Sequence, residues 1–206
     1  MLAGMATTRS RTTRERLLAA AREEFAAHGI AGARVDRIAA AAGVNKERIY
    51  ANFGSKEALF QAVVTQAMAE HADGIGLPEG DLAEYVGRLY DFHRRHPTLL
   101  RLMLWEALHY GDRPFDSSSR QPSYRKKVEA LAEALGRPAD HHTAATLMVL
   151  IGLACWAHTM PQLARFLLEG ESAETRHQLM RAQVVEFARR TLSTGQPGTA
   201  SVDQRD

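Results

Sequence analysis

With 206 residues and 45% hydrophobic content, the chain can bury a real core, either as one medium domain or as a small domain joined to a larger one. Its single cysteine, Cys155, excludes an internal disulfide framework and a metal site built on cysteine, and it suits a reducing cytoplasm. The net charge of +2 is unevenly spread, with nine Lys/Arg against five Asp/Glu in residues 1–50 and a mildly acidic remainder, as expected of a polyanion-binding module attached to something else.

Residues 1–13 lack the apolar stretch of a secretory signal. The longest apolar run, 144–157, is shorter than the roughly 18 residues of a membrane span, so a soluble cytoplasmic protein with no membrane partner is expected. Ala, Leu, Glu and Arg dominate, and no stretch alternates apolar and polar residues over strand length, which predicts an all-α fold. Residues 1–12 read as a disordered basic arm. A first helix starts at Thr12 or Thr13, carries Leu18, Ala21 and Phe25 on one face and stops at Gly29. A second, from Arg34 or Val35 to Ala42, buries Val35, Ile38, Ala39 and Ala42 and ends at Gly43. A third, 45–53, has Asn45 as its cap and Ile49 and Phe53 for the core. Gly54 closes it, and Ser55 caps a fourth helix, 56–72, with Ala58, Leu59, Ala62 and Val63 inside. The glycine- and proline-containing stretch 73–80 marks a joint. Helices follow at 81–96, 97–109, 123–135, 140–159 and 173–192, with Pro97 in a first turn, where proline is tolerated. A mobile loop is expected at 111–122 and a disordered tail at 193–206.

Two helices around a turn at Gly43, the second of them short, polar and basic, have the form of a helix-turn-helix. The run from Arg34 to Phe60 resembles the tetracycline-repressor (TetR) family of bacterial regulators. The resemblance rests on Ile38 and Ala39, on Ala42 to Val44 in the turn, on Tyr50 and Phe53 ending the third helix, and on Lys56 to Leu59 opening the fourth. It implies a helix-turn-helix DNA-binding domain over 13–56, a linking helix over 56–72 and a helical-bundle ligand-binding and dimerisation domain over 73–192. It also implies operator DNA and a second copy of the chain as partners, no cofactor, and a small apolar or aromatic effector that releases the operator.

The residues agree with that resemblance. Lys46, Glu47 and Tyr50 share one face of the third helix, opposite Ile49. In a major groove Lys46 can donate to guanine, Glu47 can accept from a cytosine amine, and Tyr50 can reach a phosphate or a thymine methyl. The resemblance assigns DNA contacts to Tyr50 and to Lys56, whose charge adds to the positive end of the fourth helix. Arg34, Arg37, Asn45, Arg48 and Asn52 complete the candidate set, with Arg9, Arg11 and Arg14 as further phosphate or minor-groove candidates. Where the family commonly has a small residue and a threonine, this chain has Glu47 and Arg34, so the operator sequence of its relatives does not carry over to it.

Beyond residue 73 the resemblance holds only in outline. The segment 140–159 is apolar nearly all round, which a helix tolerates only when surrounded by protein. The last helix carries the stripe Met180, Val184, Phe187 and Ala188, and the two segments together form the expected dimer interface. Phe92, Met103, Trp105, His109 and Trp156 are the candidate ligand-pocket residues. His93 and His96 stand at i, i+3, but no carboxylate or cysteine pattern completes a metal site, and Cys155 in so apolar a run reads as inert packing. No G-x-S-x-G, phosphate-cradling glycine loop or H-E-x-x-H supports catalysis, so no catalytic residue is assigned. The competing readings are a regulator that lacks an effector or activates and, more distantly, a helical-bundle enzyme.

Overall fold

The computed structural model of the chain describes residues 2–113 and 117–193, with the side chains of 2–12, 73 and 117–119 outside the described set. All ten elements among the described residues are α-helices: α1 (Leu2–Gly32), α2 (Val35–Ala42), α3 (Glu47–Phe53), α4 (Lys56–Ile75), α5 (Leu82–Arg95), α6 (Pro97–Tyr110), α7 (Ser117–Leu135), α8 (His141–Thr159), α9 (Pro161–Leu167) and α10 (Ala173–Ser193). They form two compact units, one drawn from residues up to Gly76 together with Phe92–Lys126, the other from Leu77–Asp91 and from Lys127 onward.

In the first unit α1 packs against α2, α4 and α6. Its inward residues are Leu17, Ala21 and Phe25, all fully buried, so Leu17 rather than Leu18 leads the i, i+4, i+8 stripe. Phe25 meets Phe60 of α4 edge to face, with ring centroids 5.1 Å apart, and Ile38, Ile49, Leu59 and Val63 close the core around them. The break expected at Gly29 is present as a single residue of φ 67° inside α1, after which one more turn runs to Gly32. Trp105 of α6 occupies the space that glycine leaves: a Cβ at Gly29 would lie 2.7 Å from Trp105 Cε3, and Trp105 Nε1 donates to the Ala26 carbonyl at 3.2 Å.

Several boundaries differ from the sequence reading. Helix α1 begins at Leu2 rather than at a Thr12 or Thr13 cap, because nothing in the preceding stretch breaks a helix and a threonine inside a continuing helix caps nothing. The side chains of Arg9 and Arg11 lie outside the described residues, as does all of the expected tail 193–206 except Ser193. Helix α4 continues past residue 72 to Ile75. Helix α7 begins at Ser117, within the expected loop 111–122, and contains Pro122. Only one turn precedes that proline, so the lost N–H costs a single bond, and Arg120 Nη1 pairs with Glu106 Oε2 at 2.8 Å to hold the turn onto α6. Helix α9 lies between the expected helices 140–159 and 173–192, where the sequence pattern marks no element. It starts with Pro161 at the position where proline fits a first turn.

The second unit is built from part of α5, the end of α7, and α8, α9 and α10. Tyr85, Val86, Leu89 and Tyr90 of α5, Leu131 of α7, Leu147, Leu150 and Ala154 of α8 and Val184, Val185 and Ala188 of α10 form its core. Arg181 of α10 holds two carboxylates of α5, Asp91 Oδ2 at 2.8 Å and Glu84 Oε2 at 3.1 Å. Much apolar surface remains uncovered: Met148 is 77% exposed and Phe166 78%, and Val149, Trp156, Leu167 and Phe187 are more than half exposed. The stripe proposed for α10 therefore divides, with Val184 and Ala188 inward and Phe187 outward. At 19 residues, α8 is also long and apolar enough to cross a membrane by length and composition. The helix reaches that length by including the less apolar turns at either end of the run 144–157.

Candidate nucleic-acid interface

The turn between α2 and α3 is dictated locally. Gly43 adopts φ 65°, ψ 39°, a left-handed conformation that glycine enters at no steric cost. Its N–H donates to the Ala40 carbonyl and the Val44 N–H to the Ala39 carbonyl, which satisfies the end of α2. Asn45 Oδ1 then accepts from the Arg48 amide at 3.3 Å at the start of α3, and Ser55 Oγ accepts from the Ala58 amide at 3.0 Å at the start of α4. Ser55 is the cap its position suggests, whereas α3 begins at Glu47 rather than 45, with Lys46 at the cap position making no side-chain capping bond and Asn45 bonding from the residue before it.

With Ile49 fully buried, the opposite face of α3 is committed to solvent. Asn45, Lys46, Glu47, Arg48 and Tyr50 are all exposed, Tyr50 to 45%, while Asn52 and Lys56 are half-buried. Lys46 Nζ stands 3.3 Å from Asp36 Oδ1, an exposed pair that solvent weakens and a phosphate or base can replace. Asn52 Nδ2 donates to the Arg48 carbonyl at 2.7 Å, which turns it back onto its own helix. Lys56 Nζ lies 3.4 Å from the Ala33 carbonyl, so the start of α4 and the start of α2 come together on this side of the unit.

Arg34 and Arg37 both have a partner in α1, which the sequence reading did not include. The Arg37 guanidinium grips Glu24 of α1, with Nε 2.8 Å and Nη2 2.6 Å from Oε1, and also donates to the Gly32 carbonyl at 3.2 Å. Arg34 offers its backbone amide to the same Glu24 oxygen at 2.9 Å, while its side chain is exposed. Burial pushes the Glu24 carboxyl up, but the Arg37 and Arg34 hydrogen bonds and the Arg37 charge outweigh it and hold its pKa below the ordinary carboxylate value. Arg37 thus fixes the α1–α2 corner. Arg14 lies with its guanidinium 4.7 Å from the Phe53 ring centroid, stacked on the end of α3. Glu24 and Asp36 are the residues that sequence reasoning missed, since their partners stand at sequence separations no local pattern reveals.

The candidate pocket residues have different local surroundings. Trp105 is committed to Ala26 and Gly29, Met103 is half-buried, His109 is exposed in the last turn of α6, and Trp156 is 55% exposed on α8 in the second unit. Phe92 is buried and lines a cavity in the first unit. Burial raises the Cys155 thiol pKa to about 11, which keeps it protonated and unreactive at neutral pH. Among the described residues no group of three His, Cys, Asp or Glu side chains could hold a metal ion.

Comparison with known proteins agrees with this geometry. Residues 17–63 match the family described as bacterial regulatory proteins, tetR family, and residues 81–190 match the tetracyclin repressor-like C-terminal domain. The HTH-type transcriptional repressor SCO4008 of Streptomyces coelicolor is 40% identical over 175 residues, covering 83% of this chain and 91% of that protein. The HTH-type transcriptional repressor NicS of Pseudomonas putida is 36% identical over 106 residues, about half of each chain. The crystal structure of SCO4942 from Streptomyces coelicolor superposes with a TM-score of 0.70 at 33% identity, covering 85% of this chain and 97% of the other. A helix-turn-helix exposing a basic face, followed by a matching carboxyl-terminal domain, places this chain in the TetR family of DNA-binding transcriptional regulators, which are not enzymes.

Proposed function

We infer that the chain is an operator-binding repressor that works in the cytoplasm as a homodimer and is released from DNA by a small apolar or aromatic effector. The observation that carries this reading is the α3 face, where Lys46, Glu47 and Tyr50 are exposed while Ile49 is buried, with Lys56 at the Ser55-capped start of α4 beside it. Such a face fits a major groove, and the positive end of α4 together with Lys56 suits a backbone phosphate. The repressors SCO4008 and NicS support the direction of regulation. The exposed apolar faces of α8 and α10 support the homodimer, whose two α3 helices would read half-sites related by a twofold axis.

Footprinting on DNA upstream of the chain's own gene, followed by anisotropy titrations of the protected duplex, tests the reading. Affinity is expected to fall steeply as salt rises. Lys56→Ala should weaken binding to all duplexes alike and lower the salt slope by about 1, whereas Lys46→Ala should relax the choice of one base pair, costing about 1–3 kcal/mol. A chain that binds operator and random duplex equally, and is indifferent to both substitutions, would not be an operator-binding protein.

A further inference from the structure

Helix α3 has seven residues and buries only one of them fully, Ile49. A helix so short, pinned at one point near its middle, can rock about that point, and base edges are read accurately only by side chains whose helix is held still. Its ends therefore decide how well it reads. Phe53 lies one turn beyond Ile49 on the same face and is half-buried, so the core closes only part of its ring.

Arg14 closes the ring from the other side. Its guanidinium carbon lies 4.7 Å from the Phe53 ring centroid, within the range of a cation–π contact. The place of Arg14 in α1 accounts for this. Arg14, Leu17, Ala21 and Phe25 follow one another at i, i+3, i+7 and i+11, and the last three are fully buried, so Arg14 opens the inward stripe of α1 rather than its solvent face. Arg14 itself is exposed, as suits the point where that stripe reaches water. The cation also stands at the carboxyl end of α3, the negative end of the helix dipole. The sequence groups Arg14 with Arg9 and Arg11 as a ligand for phosphates or the minor groove, but a guanidinium that reached for DNA would have to leave the ring.

We propose that Arg14 is a positioning residue for DNA recognition, which holds the carboxyl end of α3 through Phe53 and so sets the angle at which Lys46, Glu47 and Tyr50 meet the bases. The role rests on the operator-binding reading and deepens it. Random DNA is held mainly by neutralised phosphates, which tolerate some rocking of α3, whereas hydrogen bonds to base edges do not. Loss of Arg14 therefore costs specific binding and leaves non-specific binding as it was.

Anisotropy titrations of the full chain and of Arg14→Gln, against the duplex protected in footprinting and a random duplex of the same length over a series of salt concentrations, test the role. The melting temperature of each variant fixes conditions in which it is fully folded. Arg14→Gln should bind the protected duplex about two- to fivefold more weakly, with its affinity for random duplex and its salt slope as in the parent chain. In a Phe53→Leu background the same substitution should cost little further, because the ring through which it acts is gone. A parallel loss on both duplexes, with a slope smaller by about 1, would make Arg14 a phosphate ligand and overturn the proposal. An unaltered affinity for the protected duplex, or an undiminished loss in the Phe53→Leu background, overturns it too. If Phe53→Leu does not fold, the comparison of the two duplexes decides alone. The parent chain's own preference for the protected duplex tests the operator-binding reading separately, since a parent that prefers it and an Arg14→Gln variant that prefers it equally lose only the role of Arg14.

Discussion

At the scale of single residues, Glu24 joins α1 to the start of α2. One carboxylate oxygen receives the Arg37 guanidinium and the Arg34 amide, so the corner between α1 and α2 depends on a single carboxylate charge. Its folded pKa is lowered, so its contribution is fully present above the ordinary carboxylate value and is lost as pH falls through the lower folded value. Glu24→Gln should cost about 1–3 kcal/mol in urea unfolding near pH 7, and the gap from the parent chain should narrow on acidification below about pH 4. A gap that stays constant to pH 3 would mean that the carboxylate charge is not what holds the corner. Arg37→Ala should behave similarly, with its loss of operator affinity accompanied by a loss of stability that Lys56→Ala does not show.

At the scale of elements, the contact of α6 with α1 depends on one backbone position. Gly29 has a φ that L residues rarely adopt, and Trp105 fills the place of its missing side chain. Gly29→Ala should therefore cost about 1–3 kcal/mol from strain and overpacking together, lowering the melting temperature by about 2–4 °C for each kcal/mol. Because Trp105 must move, its fluorescence should shift in the native state, and an unaltered spectrum with unaltered stability would refute the contact. Gly43, Asn45 and Ser55 are legible in the sequence because their roles are local: each acts on a backbone group within a few residues. The same locality explains what was misread. Pro122 and the serines before it carry loop character, but the Arg120–Glu106 pair that holds this turn as helix joins residues of different elements. Trp105 looked like a pocket residue because its composition suits one, and only the fold shows its ring spent on Gly29. The cavity beside Phe92 draws on α1, α4 and α6 at once, so no periodicity within a single helix could outline it.

At the scale of the whole molecule, the uncovered apolar face of the second unit is the largest feature awaiting a partner. Met148, Val149 and Trp156 of α8 and Phe187 of α10 are each more than half exposed in a single chain, and large apolar side chains left to water in a cluster mark interaction surfaces. A double substitution, Met148→Glu with Phe187→Glu, should convert the dimer to a folded monomer in sedimentation at micromolar concentration while leaving helix content unchanged. That variant should also lose most of its affinity for a two-half-site operator while keeping weak, salt-sensitive binding to a single half-site. A variant that remains dimeric would place the interface elsewhere.

That same face has a consequence for the cell. If repression requires two chains joined through α8 and α10, operator occupancy in a cell holding few copies rises with the square of chain number rather than in proportion to it. Halving the gene dose would then cut occupancy up to about fourfold wherever free chains outnumber pairs. The apolar surface that α8 leaves open sets how sharply the controlled genes respond to the abundance of their own regulator.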